Sequence, residues 1–419
     1  MGLRKKQYTD NETIITAENM NDIQDAILML EDGLFTVDND KSGEVISITD
    51  AAKRGFRSLN IFGKTTQDGT PTPDAPVELV SVVNPVMGLY GKNLFTDYSD
   101  STKTENGITF SVNGNGSIAI SGTATASAQF NMFALYELPP AIRPGVTYIV
   151  SGATSVASIH IYELQDNWVR ITDTTNETTF VLSNNAKGVL IRYVIQPNVS
   201  VGNITVYPML RLASVADNTY EQGKPAQTAI FTRTLHGVPV TSGGNYTDAN
   251  GQQWVCDEID FARGVYVQRI GLKVFTGGEY YSNYISASGT VSTALSHLDK
   301  SNFVCSHSIA GKTIYWANDK SIAVNVASIG VSSMDEFVSF VAEQYTNGTP
   351  IEIVYILDAP IETPLSEEEL AAYADLHTYK DHTTVSNDAG AYMELEYVMD
   401  AKKYIDSQIS TGIIEARVG

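Results

Sequence analysis

Three prolines, Pro71, Pro73 and Pro76, lie in the run GFRSLNIFGKTTQDGTPTPDAPVELVSV that fills residues 55–82. Each removes a backbone donor and pushes the preceding residue toward extended conformations, so no helix can run through this stretch. It reads instead as a strand through Leu59, Ile61 and Phe62, a Gly63-Lys64 step, a stiff extended connector, and a second strand over 77–82. A connector of this kind belongs on a surface or a sheet edge, and it is expected to act as a joint between the chain segments on its two sides.

The chain beyond residue 90 is also β in character. Over 91–212, short alternating runs succeed one another: a hairpin over 107–122 turning at 113–116, then strands at 148–151, Ser158–Leu164, 179–182, Gly188–Ile195 and 203–210. That density of strands and turns predicts a two-sheet antiparallel sandwich of jelly-roll type. Beyond Tyr220, strands are expected at 237–240, 254–256, 264–270, 280–287, 314–316, 321–326 and 351–357. Ser333 is read as the N-cap of a helix through Met334, Phe337, Val338 and Val341, and Ser366 with Glu369 forms a capping box for a second helix through Leu370, Tyr373 and Leu376.

The expected fold class is mainly β and multi-domain, with an antiparallel, jelly-roll-like sandwich inserted into a larger unit and short helices flanking both ends. The units are an arm and helix over 1–54, a β-rich domain made of 55–90 and 216–395, the inserted sandwich over 91–215, and a terminal helix over 396–419. A tandem arrangement is the alternative.

In the N-terminal unit Thr16 can cap a helix to residue 32 whose apolar positions Met20, Ile23, Ile27, Leu30 and Leu34 follow a heptad. That seam either meets its copies at an oligomer axis, a trimer being one form, or packs on the chain's own body. Asp38, Asp40, Ser42 and Gly43 imitate the start of an EF-hand loop, but the twelfth position is Thr49 rather than glutamate, so a hydrated turn is read there. The turn leads to a strand through Val45, Ile46 and Ile48, and Asp50 is read as the cap of a short helix closing on Gly55. At the other end a helical run is expected through Leu395, Val398, Tyr404, Ile405, Ile409 and Ile413, docking on a neighbour or a copy.

Charge narrows the partners. The 419 residues carry 48 acidic against 27 basic side chains, a formal net charge of −21, with no basic stripe to offset it, so nucleic acid is not an expected partner. The opening MGLRKKQYTD lacks the apolar core of a signal peptide, Lys6 stands where a myristoylation signal needs serine or threonine, and no apolar run reaches a membrane span. Synthesis in the cytoplasm, without membrane insertion, is the expectation. Cys256 and Cys305 form no metal motif and are read as two separate thiols, although a disulfide is open to them; no cofactor is expected.

Two clusters could carry chemistry. The run Cys256-Asp257-Glu258-Ile259-Asp260 with Arg263 resembles paired catalytic carboxylates only superficially, and is read as a solvated strand-to-turn face. No nucleophile elbow or phosphate loop accompanies it. In the sandwich, alternation turns Ile159 and Ile161 inward and leaves His160 and Tyr162 on the other face; Arg192 is set opposite Ile191 and Tyr193 in the same way. Trp168 comes next in the polar stretch QDNWVRITD, read as a loop. Tyr162, Trp168, Arg192 and His160 are therefore the candidate glycan-binding residues, an aromatic platform with flanking polar groups. The alternative is that Trp168 anchors a loop and Tyr162 merely covers a sheet face.

Two resemblances add to this. SLNIFGKTTQDGTPTPDAPVELVSV, the step Gly91-Lys92-Asn93-Leu94 and GGNYTDANGQQWVCDEIDFARGVYVQRIG over 243–271 resemble a family of structural proteins from tailed phages of Gram-positive bacteria. The phrases GKNLF, NGNGSIAISGTATAS, RPGVTYIVSG and NITVYPMLRL resemble carbohydrate-binding modules of jelly-roll fold. The first implies a virion component of tail, baseplate or fibre that contacts other virion proteins; it brings no catalytic residues. The second implies a host-glycan ligand. A virion-attached polysaccharide-cleaving enzyme and a purely architectural or capsid-decorating protein are the competing expectations.

Overall fold

The computed structural model describes residues 35–39, 45–49, 56, 58–72, 75–248, 250–279, 290–294, 303–307, 314–318, 321–379, 382–387 and 390–397. The heptad through Met20, Ile23, Ile27 and Leu30, the helix closing on Gly55, the strand expected at 280–287 and the segment 398–419 lie outside these residues.

The described chain is mainly β, built from several antiparallel sheets, with two α-helices, Met334–Thr346 and Glu367–Ala374. A seven-stranded sheet runs in the order Phe35–Asn39, Tyr392–Tyr397, Ser58–Phe62, Glu258–Asp260, Val265–Val274, Glu352–Pro364, Phe303–Cys305. A four-stranded sheet, Gln227–Ile230, Val86–Tyr90, His382–Asn387, Val45–Thr49, shares a core with it through Leu59, Ile61, Met87, Leu89, Ile259, Val385 and Leu395. Strands far apart in sequence are thus neighbours in space.

Between Val86–Tyr90 and Gln227–Ile230 the chain makes a long excursion. The two flanking strands pair with each other, Leu89 opposite Gln227, so the excursion leaves and returns side by side. Its strands form sheets of their own around one core that includes Phe110, Phe130, Tyr148, Ile161, Ile191 and Tyr193.

The Gly91-Lys92-Asn93 step is the clasp that closes this excursion. Asn93 is 1% exposed; its Nδ2 donates to the carbonyls of Pro208 and Glu221, and its Oδ1 accepts from the amides of Phe95 and Leu210. Buried Lys92 donates to Asp217 at 2.7 Å and to Thr219 at 3.1 Å, which holds the Asp217 carboxyl well below the usual carboxylate range. The return limb lies so close that a Cβ on Gly223 would stand 1.7 Å from the Phe95 carbonyl oxygen, so only glycine fits there.

The strands on either side of the proline-rich connector, Thr65–Gln67 and Leu79–Val83, pair with each other, and the connector lies against the body through the Val77 amide on the Ser306 carbonyl. Three expectations are corrected. The expected strand at 203–210 is two strands, Ser200–Val206 and Met209–Leu212, in different sheets, broken where Pro208 cannot donate to a ladder. Residues Tyr392–Tyr397 are a strand, so no helix runs through Leu395; Met393, Leu395 and Tyr397 face the core and Glu394 and Glu396 do not. Asp38, read as part of a hydrated turn, lies in the strand Phe35–Asn39 opposite Glu394.

The acidic run is corrected as well. Asp257, Glu258 and Asp260 are only 0%, 9% and 8% exposed, because their strand lies inside the seven-stranded sheet rather than at a solvated turn. Each carboxylate has local donors. Asp257 takes the amides of His236, Arg269 and Ile270; Glu258 takes the Arg269 guanidinium at 2.8 Å and the Asn60 amide; Asp260 takes the Arg263 amide. Cys256 and Cys305 are both buried.

The N-cap expected at Ser333 and the capping box expected at Ser366 are present, and Ser333 also forms a capping box, with Glu336. In the second helix Glu369 does more than cap, since its buried carboxylate meets Arg233 at 2.6 and 2.7 Å and ties the helix to the segment after Gln227–Ile230. Glu369→Ala is expected to destabilise the fold by about 3 kcal/mol, because it leaves a partly buried guanidinium unpaired. The Arg233 charge holds this carboxyl below its ordinary 4.5, so its contribution is present above that value and fades as pH falls below it. Urea titrations of both proteins should therefore converge in acid. No helix among the described residues is long and apolar enough to cross a membrane.

Candidate functional site

The sequence candidates converge on one face of one sheet. That sheet has the order Ala128–Leu135, Gly188–Ile195, Ser158–Leu164, Trp168–Thr174, and its inner face packs Phe130, Ile159, Ile161, Ile191 and Tyr193 into the core. Alternation then commits the intervening residues to the outer face. Pairing sets them in rows: His160 lies opposite Arg192 on one side and Asp173 on the other, and Tyr162 lies opposite Leu190 and Arg170.

The polar groups of this face form one connected network. The Arg192 guanidinium stacks over the Tyr162 ring with its carbon 4.9 Å from the centroid, donates to the Tyr162 hydroxyl at 3.2 Å and to Gln129 Oε1 at 2.6 Å. Arg170 pairs with Asp173 at 2.7 Å, and its other contact is His160 Nε2 at 3.4 Å. Because a guanidinium can only donate, Nε2 is the accepting nitrogen and the imidazole proton sits on Nδ1, toward the Tyr162 hydroxyl 3.5 Å away. Burial, with Arg170 and Arg192 close by, lowers the His160 pKa and keeps the ring neutral.

His160 itself is 7% exposed, so it organises the face more than it offers itself. Tyr162, Arg192 and Trp168 are half-buried, while Arg170 and Asp173 are open to solvent. At the His160 end a groove of about 380 Å³ is lined by Ser158, His160, Arg170, Asp173, Val194 and Gln196 among others. At the opposite end Trp168 meets Tyr136 edge to face, with ring centres 5.7 Å apart, and Tyr136 is 71% exposed. The face thus carries an aromatic end and a hydrogen-bonding end.

Trp168 does not sit in a loop. It opens the strand Trp168–Thr174, opposite Leu164, and so belongs to the same face as Tyr162 and Arg170. Sequence reading missed Arg170, Asp173, Gln129 and Tyr136. The alternation of Trp168, Arg170 and Ile171 across WVRITDT carried a strand signal, but a one-residue shift in the pairing beside Tyr162 breaks its period. The strand Ala128–Leu135 carries a similar shift between Asn131 and Phe133.

Chemically the face offers fixed donors, a neutral imidazole, hydroxyls and two aromatic edges. The Asp173 carboxylate on this face is held by Arg170 at 2.7 Å. Among the described residues no three His, Cys, Asp or Glu side chains form a metal-binding group. No protein-family model, curated protein or solved structure matches this chain.

Proposed function

We propose that this protein is a structural component of a tailed-phage particle, in the tail, baseplate or fibre, and that residues 91–215 are a jelly-roll-like module recognising a host-surface glycan. The observation that carries the ligand reading is the convergence of Tyr162, Trp168, Arg192 and His160 on one solvent-facing sheet face with an adjoining groove. Saccharide recognition requires aromatic surface for the sugar C–H groups and oriented polar groups for its hydroxyls, and this face provides both. The virion placement rests on the sequence resemblance, and the adjacent flanking strands fit a module displayed from a body that makes the assembly contacts. The face binds without turnover.

The test is retention of the full-length chain on intact cell walls from a panel of Gram-positive bacteria, with released reducing sugar measured in parallel. Trp168→Ala is expected to weaken retention by about tenfold, without sugar release in either protein. Because burial, with Arg170 and Arg192 close by, lowers the His160 pKa, any loss of retention on its protonation should be centred below the ordinary 6.5. Retention by no wall would overturn the glycan reading, and sugar release would replace it with an enzymatic one.

A further inference from the structure

A second concavity, sharing no lining residue with the groove on the open face, lies beside the return limb of the excursion. It encloses about 490 Å³ between the segment 95–102, the turn at Asn113 and Gly116, and the return limb at Gln222 and Gly223. A neighbouring cavity of about 270 Å³ shares Thr96, Asp97 and Tyr98 with it, so these three residues form a wall between two hollows. The larger volume falls within the range of about 300–1,000 Å³ typical of small-ligand sites.

Its chemistry differs from that of the open face. Asp97 and Asp100 line it together with Thr96, Ser101, Thr102, Asn113 and Gln222, and no lysine, arginine or histidine does. The wall is rigid. Tyr98 donates its hydroxyl to the Gly116 carbonyl and packs edge to face on Phe95 and Phe130, and Asp100 is fixed by the Asn131 amide at 2.6 Å and Lys103 at 2.7 Å. Asp97 is exposed, and Gln222 is held by the Gly114 carbonyl. A preformed pocket rich in acceptors, with Phe95 and Tyr98 in its walls and its neighbouring cation, Lys103, neutralised by Asp100 and Glu105, disfavours anions and suits a ligand that brings its own O–H donors.

We propose that this cleft is a second saccharide site, separate from the open face and selective for an uncharged oligosaccharide. Sugar hydroxyls donate to the Asp97 and Asp100 carboxylates, and the Asn113 and Gln222 amides complete the set. Since Gln222 and Gly223 belong to the return limb beside the Asn93 clasp, a bound sugar touches the junction as well as the module.

The experiment is saturation-transfer NMR and calorimetry on the full-length chain with three neutral trisaccharides, cellotriose, maltotriose and chitotriose, and with trigalacturonate as the anionic probe. Asp97→Ala combined with Asn113→Ala disables the cleft at exposed positions, and a thermal melt of this double variant checks that the turn, where Asn113 Nδ2 donates to Ser117 Oγ, is intact; Trp168→Ala combined with Arg170→Ala disables the face. The expected result is that a neutral trisaccharide still binds when the face is disabled, loses at least about tenfold in affinity when the cleft is disabled, and is not matched there by trigalacturonate. Binding that vanishes with the face variants and ignores the cleft variants overturns this site while leaving the face reading intact. Absence of binding by the unaltered chain overturns the cleft, as would equal binding of the anionic probe.

Discussion

Below pH 3.8, Asp257→Ala is expected to be among the most damaging single substitutions in the body of this protein, at about 3–4 kcal/mol, because three amides lose their acceptor together. His236, Arg269 and Ile270 all donate to this carboxylate at 2.8–2.9 Å, and the Arg269 and Ile270 amides come from the irregular step in the long strand Val265–Val274. The carboxylate substitutes for the missing ladder partners. It also stands where two chain segments cross: the Gly63 amide donates to the Asp257 carbonyl, and a Cβ on Gly63 would lie 2.3 Å from the His236 carbonyl oxygen.

The pH dependence of that loss has a definite sign. Burial pushes the Asp257 carboxyl up to about 6 from 3.8, against the pull of its amides, so the folded state holds a proton that the unfolded state has released. Over that interval stability falls as pH rises. The advantage of aspartate over alanine should be greatest below 3.8 and shrink by about 3 kcal/mol by the time pH exceeds 6, following 1.36 kcal/mol per unit. Chemical denaturation of both proteins across this range checks it. An advantage that grows with pH would mean that the amides, not burial, dominate.

Asn93→Ala should be comparably costly but differently distributed. Its side chain satisfies two amides and two carbonyls with no solvent access, so truncation is expected to cost about 3 kcal/mol at the junction. The seven-stranded sheet shares none of these partners. Limited proteolysis should therefore show new cleavage in 213–226 while the seven-stranded sheet stays protected, and the excursion's core, to which Phe95 and Leu210 belong, should melt earlier than in the unaltered chain. Simultaneous loss of both parts would show that the clasp stabilises the whole chain and not the junction alone.

How much of this was legible depends on the range of the determining interaction. The outward set of His160, Tyr162 and Arg192 could be read from alternation, because a strand's two faces are fixed by a period of two within its own sequence. The N-cap at Ser333 and the capping box at Ser366, a hydroxyl and a carboxylate three residues apart, were equally local. The heptad through Met20, Ile23, Ile27 and Leu30 falls outside the described residues.

What failed was non-local. Met393, Leu395 and Tyr397 alternate against Glu394 and Glu396, yet Leu395 and Val398 also satisfy a helical spacing; pairing with Ser58–Phe62 and Phe35–Asn39 decides for strand. Trp168 joined the candidate face only because its strand pairs with Ser158–Leu164, and Asp257 became a buried acceptor only because three strands meet around it. The sequence by itself determined the β character, the faces of individual strands and the helix caps, since these depend on backbone sterics over a few residues. Tertiary structure alone decided which strands share a sheet, which carboxylates lose water and which surfaces close into a cleft, because these depend on contacts between separate elements, some of them more than a hundred positions apart, such as Asn93 with Glu221.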